Sequence, residues 1–219
     1  MTRKPDEMAG IAALTGIAAV VFSVLYFVSD LIELVQGGFS TSQLALTYVA
    51  EAAVPLFVLG LYAVQRPQIG RLGLVSALTY AYAFVFFTST VVYALIDHTR
   101  DWNALTAGFG PWIAVHSVLM VVAGVAFGVA VARGHVLPRW TGITLIVGMV
   151  LMAVSAGLPD ALRTVSAGVR DLAFAAMGAS LLRSRHRVVS AQPGGFVVES
   201  TEVPRLPSRR VPSGVAQSR

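Results

Sequence analysis

Hydrophobic positions in this chain come in long unbroken runs, with neither the alternation of a half-buried strand nor the narrow stripe of a surface helix. A helix needs about 20 apolar residues to cross a hydrocarbon core about 30 Å thick. Six segments qualify, at about 10–35, 44–64, 72–96, 112–132, 141–157 and 161–182. Short polar connections separate them, and the fifth segment is the shortest. The pattern predicts an all-α integral membrane helical bundle of six transmembrane helices. Residues 1–9 form a cytoplasmic N-terminus, 10–183 the six-span domain and 184–219 a disordered cytoplasmic tail rich in Arg, Ser, Pro, Gly and Val. The first apolar run follows Arg3 and Lys4 but is longer than a signal-peptide core and has no A-x-A site behind it, so it is expected to remain as a span.

Composition agrees with lipid as the solvent. Of 219 residues, 56% are hydrophobic and 12% charged, and the mean hydropathy is +0.73. A soluble domain of this size needs far more charge on its surface. The net charge of +5 sits in loops and tail, so it reads as a topology signal and not as a nucleic-acid footprint. Arg66, Arg71, Arg133 and Arg139 occupy alternate connections, and Arg183, Arg185 and Arg187 follow the last span. The intervening connections are uncharged at 37–43 or balanced by Asp97, Arg100 and Asp101. The positive-inside rule then puts both termini in the cytoplasm of a cell with a plasma (inner) membrane and requires an even number of spans. Trp102 and Trp112 fall at the outer interface and Trp140 at the inner one, as in an aromatic belt. The absence of cysteine excludes disulfides, thiolate metal sites and iron–sulfur clusters.

Against this background the ionisable residues inside the spans stand out: Asp30, Glu51, His116, Arg170 and Asp171. A charge at such depth costs several kcal/mol, about 2.5–3.5 on insertion scales, unless it is paired or wetted. At 1.5 Å per residue, Asp30 falls about 10 Å outward of the midplane, Glu51 about 5 Å and His116 about 8 Å. Arg170 and Asp171 lie near the midplane. None lies in the cytoplasmic half, so inward-facing helices would enclose a polar pocket open to the outside above an apolar plug. On the last span Asp160, Arg163, Thr164, Ala167, Arg170, Asp171 and Phe174 recur at spacings of three and four, which makes one polar face. Arg170 cannot shed its proton and needs a partner. Glu51, at the most similar depth, is the expected one, ahead of Asp30 and Asp171.

Pro55 stands four residues after Glu51 and removes the hydrogen bond that the Glu51 carbonyl would otherwise accept. His98 and His116 have no H-x-x-x-H or E-x-x-H spacing around them, so neither a metal nor a haem is expected, and no other cofactor is implied. Serines and threonines in the spans lack a G-x-S-x-G turn and read as hydroxyls bonded to the preceding helical turn. Small residues at four-residue spacing, Gly124, Gly128 and Ala132 on the fourth span and Ala167, Ala175 and Ala179 on the sixth, allow close helix approach within the bundle, in a homo-oligomer or with a membrane-protein partner.

The connection LPRWTG at 137–142, followed by a glycine-bearing apolar span, resembles one found in several groups of bacterial multi-span proteins. The excess of Arg over Lys with abundant Ala, Val and Gly is similar to actinobacterial chains. The resemblance implies an integral membrane fold and no site residue. Three functional classes remain. The first is a non-catalytic membrane subunit or scaffold held by an internal charge network. The second is a small transporter or ion- or proton-binding protein with an outward-facing pocket. The third is an intramembrane enzyme using a carboxylate and His116 as acid and base.

Overall fold

The computed structural model describes residues 5–190 of the chain, all of them in helices or short connections. Seven helices follow one another among the described residues: α1 (Pro5–Gln36), α2 (Thr41–Gln65), α3 (Gly70–Ile96), α4 (Trp102–Phe109), α5 (Pro111–Gly134), α6 (Arg139–Ser155) and α7 (Asp160–Ser190). Five of them, α1, α2, α3, α5 and α7, are long and apolar enough to cross a membrane, as in a multi-span membrane protein. The remaining apolar helix, α6, has 17 residues and is shorter than these.

The long helices and α6 form a closed ring. Each packs on its neighbour in the chain, α1 on α2, α2 on α3, α3 on α5, α5 on α6 and α6 on α7, and α7 returns to α1. Closure between first and last helix depends on glycine. A Cβ at Gly178 would stand 2.6 Å from the Gly16 carbonyl oxygen, so α1 and α7 meet backbone to backbone. The Gly124 and Gly128 face is used in the same way inside the chain, against Met149, Gly142 and Ile146 of α6.

Outside the ring the surface is apolar. On α1, Leu14, Ile17, Val21, Val24, Val28, Leu31 and Val35 are all exposed at spacings of three and four. On α6, Ile143, Val147, Val150 and Val154 are likewise exposed. In water such continuous stripes would be a liability, whereas hydrocarbon tails satisfy them. Inside, a cluster of rings fills the centre: Phe57 on Phe174 at 5.4 Å between centroids, Tyr80 on Phe174 at 5.7 Å and Tyr80 on Phe84 at 5.0 Å.

Three local readings of the sequence need correction. The stretch between α3 and α5 is not only a loop: Asp101 accepts a hydrogen bond from the Ala104 backbone N–H at 2.9 Å and caps the short helix α4. Trp102 turns inward instead of joining an interfacial belt, while Trp112 and Trp140 remain exposed. At the C-terminal side, α7 continues past 184, where the tail was expected to start. No Gly or Pro stands between Gly178 and Pro193 to stop it. The rest of the expected tail, 191–219, lies outside the described residues, as do 1–4.

Candidate functional site: a polar cavity at one end of the ring

A cavity of about 210 Å³ opens at the end of the ring that carries the α1–α2 connection, α4 and the start of α7. Its rim is made by Gly37, Gly38, Asp101, Asn103 and Asp160. A backbone hydrogen bond from the Phe39 N–H to the Arg100 carbonyl, 2.7 Å, ties the α1–α2 turn to the segment before α4. Arg163 pairs with Asp160 across one helical turn at 3.2 Å, and both side chains line the cavity. The opposite end of the ring carries the connections with Arg66, Arg71, Arg133 and Arg139.

Three of the five ionisable residues singled out in the sequence line this cavity: Asp30, Glu51 and Arg170. Asp30 is half-buried on the α1 wall, with Glu33 one turn further out. The polar face of α7 supplies Asp160, Arg163, Thr164, Ala167 and Arg170 in order from rim to floor. Asp171 lies below the floor, in the dry space bounded by Phe57, Tyr80, Phe84 and Phe174. Those rings close the cavity from beneath.

The expected Arg170–Glu51 pair does not form. Arg170 Nε donates to Asp171 Oδ1 at 2.8 Å, and Nη2 stands 2.8 Å from the same oxygen. Both side chains are almost fully buried. Neighbouring positions on a helix point about 100° apart, but the long arginine stem curls back far enough to bring its fork to the adjacent carboxylate. The guanidinium plane also lies over the Tyr26 ring, 4.5 Å from its centroid, and 5.8 Å from that of Phe84.

Tyr26 is therefore the residue between the two expected partners. Its hydroxyl donates to Glu51 Oε1 at 2.6 Å while its face takes Arg170. Sequence reasoning passed over it. The available signal was its place exactly one turn below Asp30, on the same side of α1. Glu51, only 4% exposed, has its other oxygen Oε2 without a partner among the described residues. Helix α2 runs through Pro55 without interruption.

A second group, also unforeseen, sits higher in the cavity wall. Gln43 Nε2 donates to Thr47 Oγ1 at 2.9 Å and to Ser29 Oγ at 3.2 Å. Thr47 Oγ1 donates to the Gln43 backbone carbonyl at 3.1 Å, and Ser29 Oγ, in contact with it, shares its one proton between Thr47 Oγ1 and the same carbonyl at 3.3 Å. With their protons spent there, they must accept from the amide nitrogen, which orients the Gln43 side chain. Its Oε1, buried, is left as an acceptor without a partner among the described residues.

Comparison with protein-family models, with curated proteins and with solved structures found no match. The geometry of the chain itself carries the functional reading.

His116 does not belong to this cavity, which corrects its place in the expected pocket. Its ring stacks flat on Phe86, with centroids 3.6 Å apart and planes 8° from parallel. Nδ1 donates to the Trp112 carbonyl at 2.8 Å, so Nε2 is the acceptor and faces the Tyr82 hydroxyl at 3.4 Å. From α5 the imidazole ring meets Tyr82 and Phe86 of α3 and Trp112 of its own helix. Both ring nitrogens are occupied, and no carboxylate is bonded to it.

Proposed function

We propose that this chain is a six-span protein of the plasma membrane, with both termini cytoplasmic, whose cavity is a binding site for a small polar solute open to the extracytoplasmic side. The observation that carries this reading is Glu51, nearly fully buried at the cavity floor with one oxygen bonded to Tyr26 and the other unmatched. A carboxylate in that state costs free energy, and solute donors or water entering through the mouth would offset it.

The closed ring supports a count of six spans. At 1.5 Å per residue the 17 residues of α6 reach about 26 Å, the short limit for crossing. Its exposed valines and isoleucine continue the apolar belt of its neighbours. An even count keeps all the arginine-bearing connections on one side, and the positive-inside rule makes that side the cytoplasm. The cavity then faces outward.

The scaffold class keeps an internal network, since Tyr26 of α1 joins Arg170 of α7 to Glu51 of α2, but a network alone does not account for the unmatched Glu51 oxygen in a cavity lining. An enzyme using His116 needs a carboxylate beside it, and the imidazole is bonded to Trp112 and Tyr82 instead.

The chain contains no cysteine, so single thiols report sidedness cleanly. Thr164→Cys, in the cavity wall, should react with a membrane-impermeant thiosulfonate added outside intact cells. Gln68→Cys, in the α2–α3 connection, should react only after permeabilisation. Reversed sidedness, or no reaction at Thr164→Cys under either condition, refutes the assignment.

A further inference from the structure

The cavity has two levels, and both present acceptors. At the floor is Glu51 Oε2, and in the wall above is Gln43 Oε1, with Asp30 in the same lining. Each belongs to a side chain at most 4% exposed, and each lacks a partner among the described residues. The cations near them are already engaged: Arg170 by Asp171, and Arg163 by Asp160. Five carboxylates in the lining, Asp30, Glu33, Glu51, Asp101 and Asp160, stand against two arginines, one of which, Arg170, keeps an Nη2 without a full hydrogen bond, so the cavity is short of positive charge.

The spacing of the levels narrows the chemistry. Glu51 is held at the height of Tyr26 by their hydrogen bond, and Gln43 at the height of Ser29 by theirs. Ser29 lies three residues beyond Tyr26 on α1, and Gln43 eight residues before Glu51 on α2. The two levels are thus one to two helical turns apart, about 5 to 12 Å. No three carboxylate or imidazole groups among the described residues stand close enough to share a metal ion. A compact cation would satisfy one level and leave the other bare. Trp102 adds aromatic surface to the wall, which suits the alkyl and ammonium parts of an organic cation.

We propose that the cavity binds an elongated organic dication of the alkyl-diamine class, one ammonium donating to Glu51 and the other to Gln43 and Asp30. The inference rests on the outward-open cavity proposed above and names its ligand. It involves no covalent step.

The test uses the full chain in membranes, with Thr164→Cys as reporter. A cationic methanethiosulfonate should react there about tenfold faster than an anionic one of similar size, the lower end of what a charge-lined cleft produces. 1,4-Diaminobutane should slow the reaction saturably, while glycine and acetate should not. Adding Glu51→Gln or Asp30→Asn should shrink the charge preference and weaken the diamine protection at least severalfold. Should either variant fail to accumulate, the parent reporter alone decides through its charge preference and diamine protection. Equal or faster reaction of the anionic reagent, protection by glycine or acetate in place of the diamine, or brisk labelling that the diamine never slows would overturn the proposal. In those outcomes Thr164→Cys still reacts from outside, so the open cavity survives. Complete absence of labelling removes the cavity reading itself.

Discussion

Glu51 and His116 are both ionisable, both buried and both set in helices of lipid-crossing character, yet they end in opposite conditions. Every polar atom of the imidazole has a partner, and its face is covered by Phe86. The carboxylate has one oxygen bonded and one bare, at the floor of an open cavity. Burial alone therefore does not mark a site. What separates a structural polar group from a binding one is whether an atom the fold leaves unmatched belongs to an open cavity: Asp171 Oδ2 is unmatched too, but it lies in the enclosed space beneath the floor.

The sharpest way to break that contrast is at the ion pair under the cavity. Arg170→Met strands the Asp171 carboxylate among aromatic rings and should cost about 3–5 kcal/mol. Thermal unfolding of the purified protein should show a large loss, recovered in good part by adding Asp171→Asn. If the double variant is no more stable than the single one, the pairing assigned here is wrong. Next comes His116→Ala, which removes both ring hydrogen bonds and the stack on Phe86. A loss of about 2–3 kcal/mol is expected, with no change in cavity labelling at Thr164→Cys. Altered labelling would connect a site that the structure keeps apart.

Gly148→Ala ranks third. A Cβ there would lie 2.7 Å from the Arg170 backbone nitrogen, so α6 must shift from α7 at a cost of about 1–3 kcal/mol, read as a lower unfolding temperature. The smallest effect should come from Glu51→Gln. Its amide oxygen can still accept from Tyr26, so stability should stay within about 1 kcal/mol of the parent while the charge preference of the cavity collapses. A large stability loss with that preference intact would make Glu51 structural and put it in the same category as His116.

Much of the bundle was legible in the chain. Long apolar runs have one economical outcome in lipid, since every backbone N–H and C=O must be bonded within the segment. The polar face of α7 was legible too, because Asp160, Arg163, Thr164, Ala167 and Arg170 follow helical spacing. Less was legible about partners. Depth along the helix made Glu51 the natural mate for Arg170, and the two do meet one side chain, that of Tyr26, from different helices. The angle around the helix, and the intrusion of the Tyr26 ring, decided otherwise.

Short local signals were also readable but easily passed over. Asp101 ahead of Trp102 and Asn103 is a helix cap, and it converts part of a connection into α4 at the cavity rim. Gln43 and Thr47 are one turn apart on α2, yet nothing in their spacing announces that Ser29 of another helix completes their network.

By itself the amino-acid sequence determined that the chain folds as apolar helices, where most of them begin and end to within about three residues, the start of α1, the far end of α7 and the short α4 excepted, and in what order the ionisable groups lie along each helix. These depend on hydropathy and on a fixed rise per residue, both local quantities. The tertiary structure alone decided which buried groups complete one another. Packing around the ring, closed where Gly16 meets Gly178, sets how the helices face one another, and that rotation determines that Asp171 takes Arg170, that Phe86 covers His116, and that Glu51 and Gln43 are left with a buried acceptor unmatched in the cavity lining.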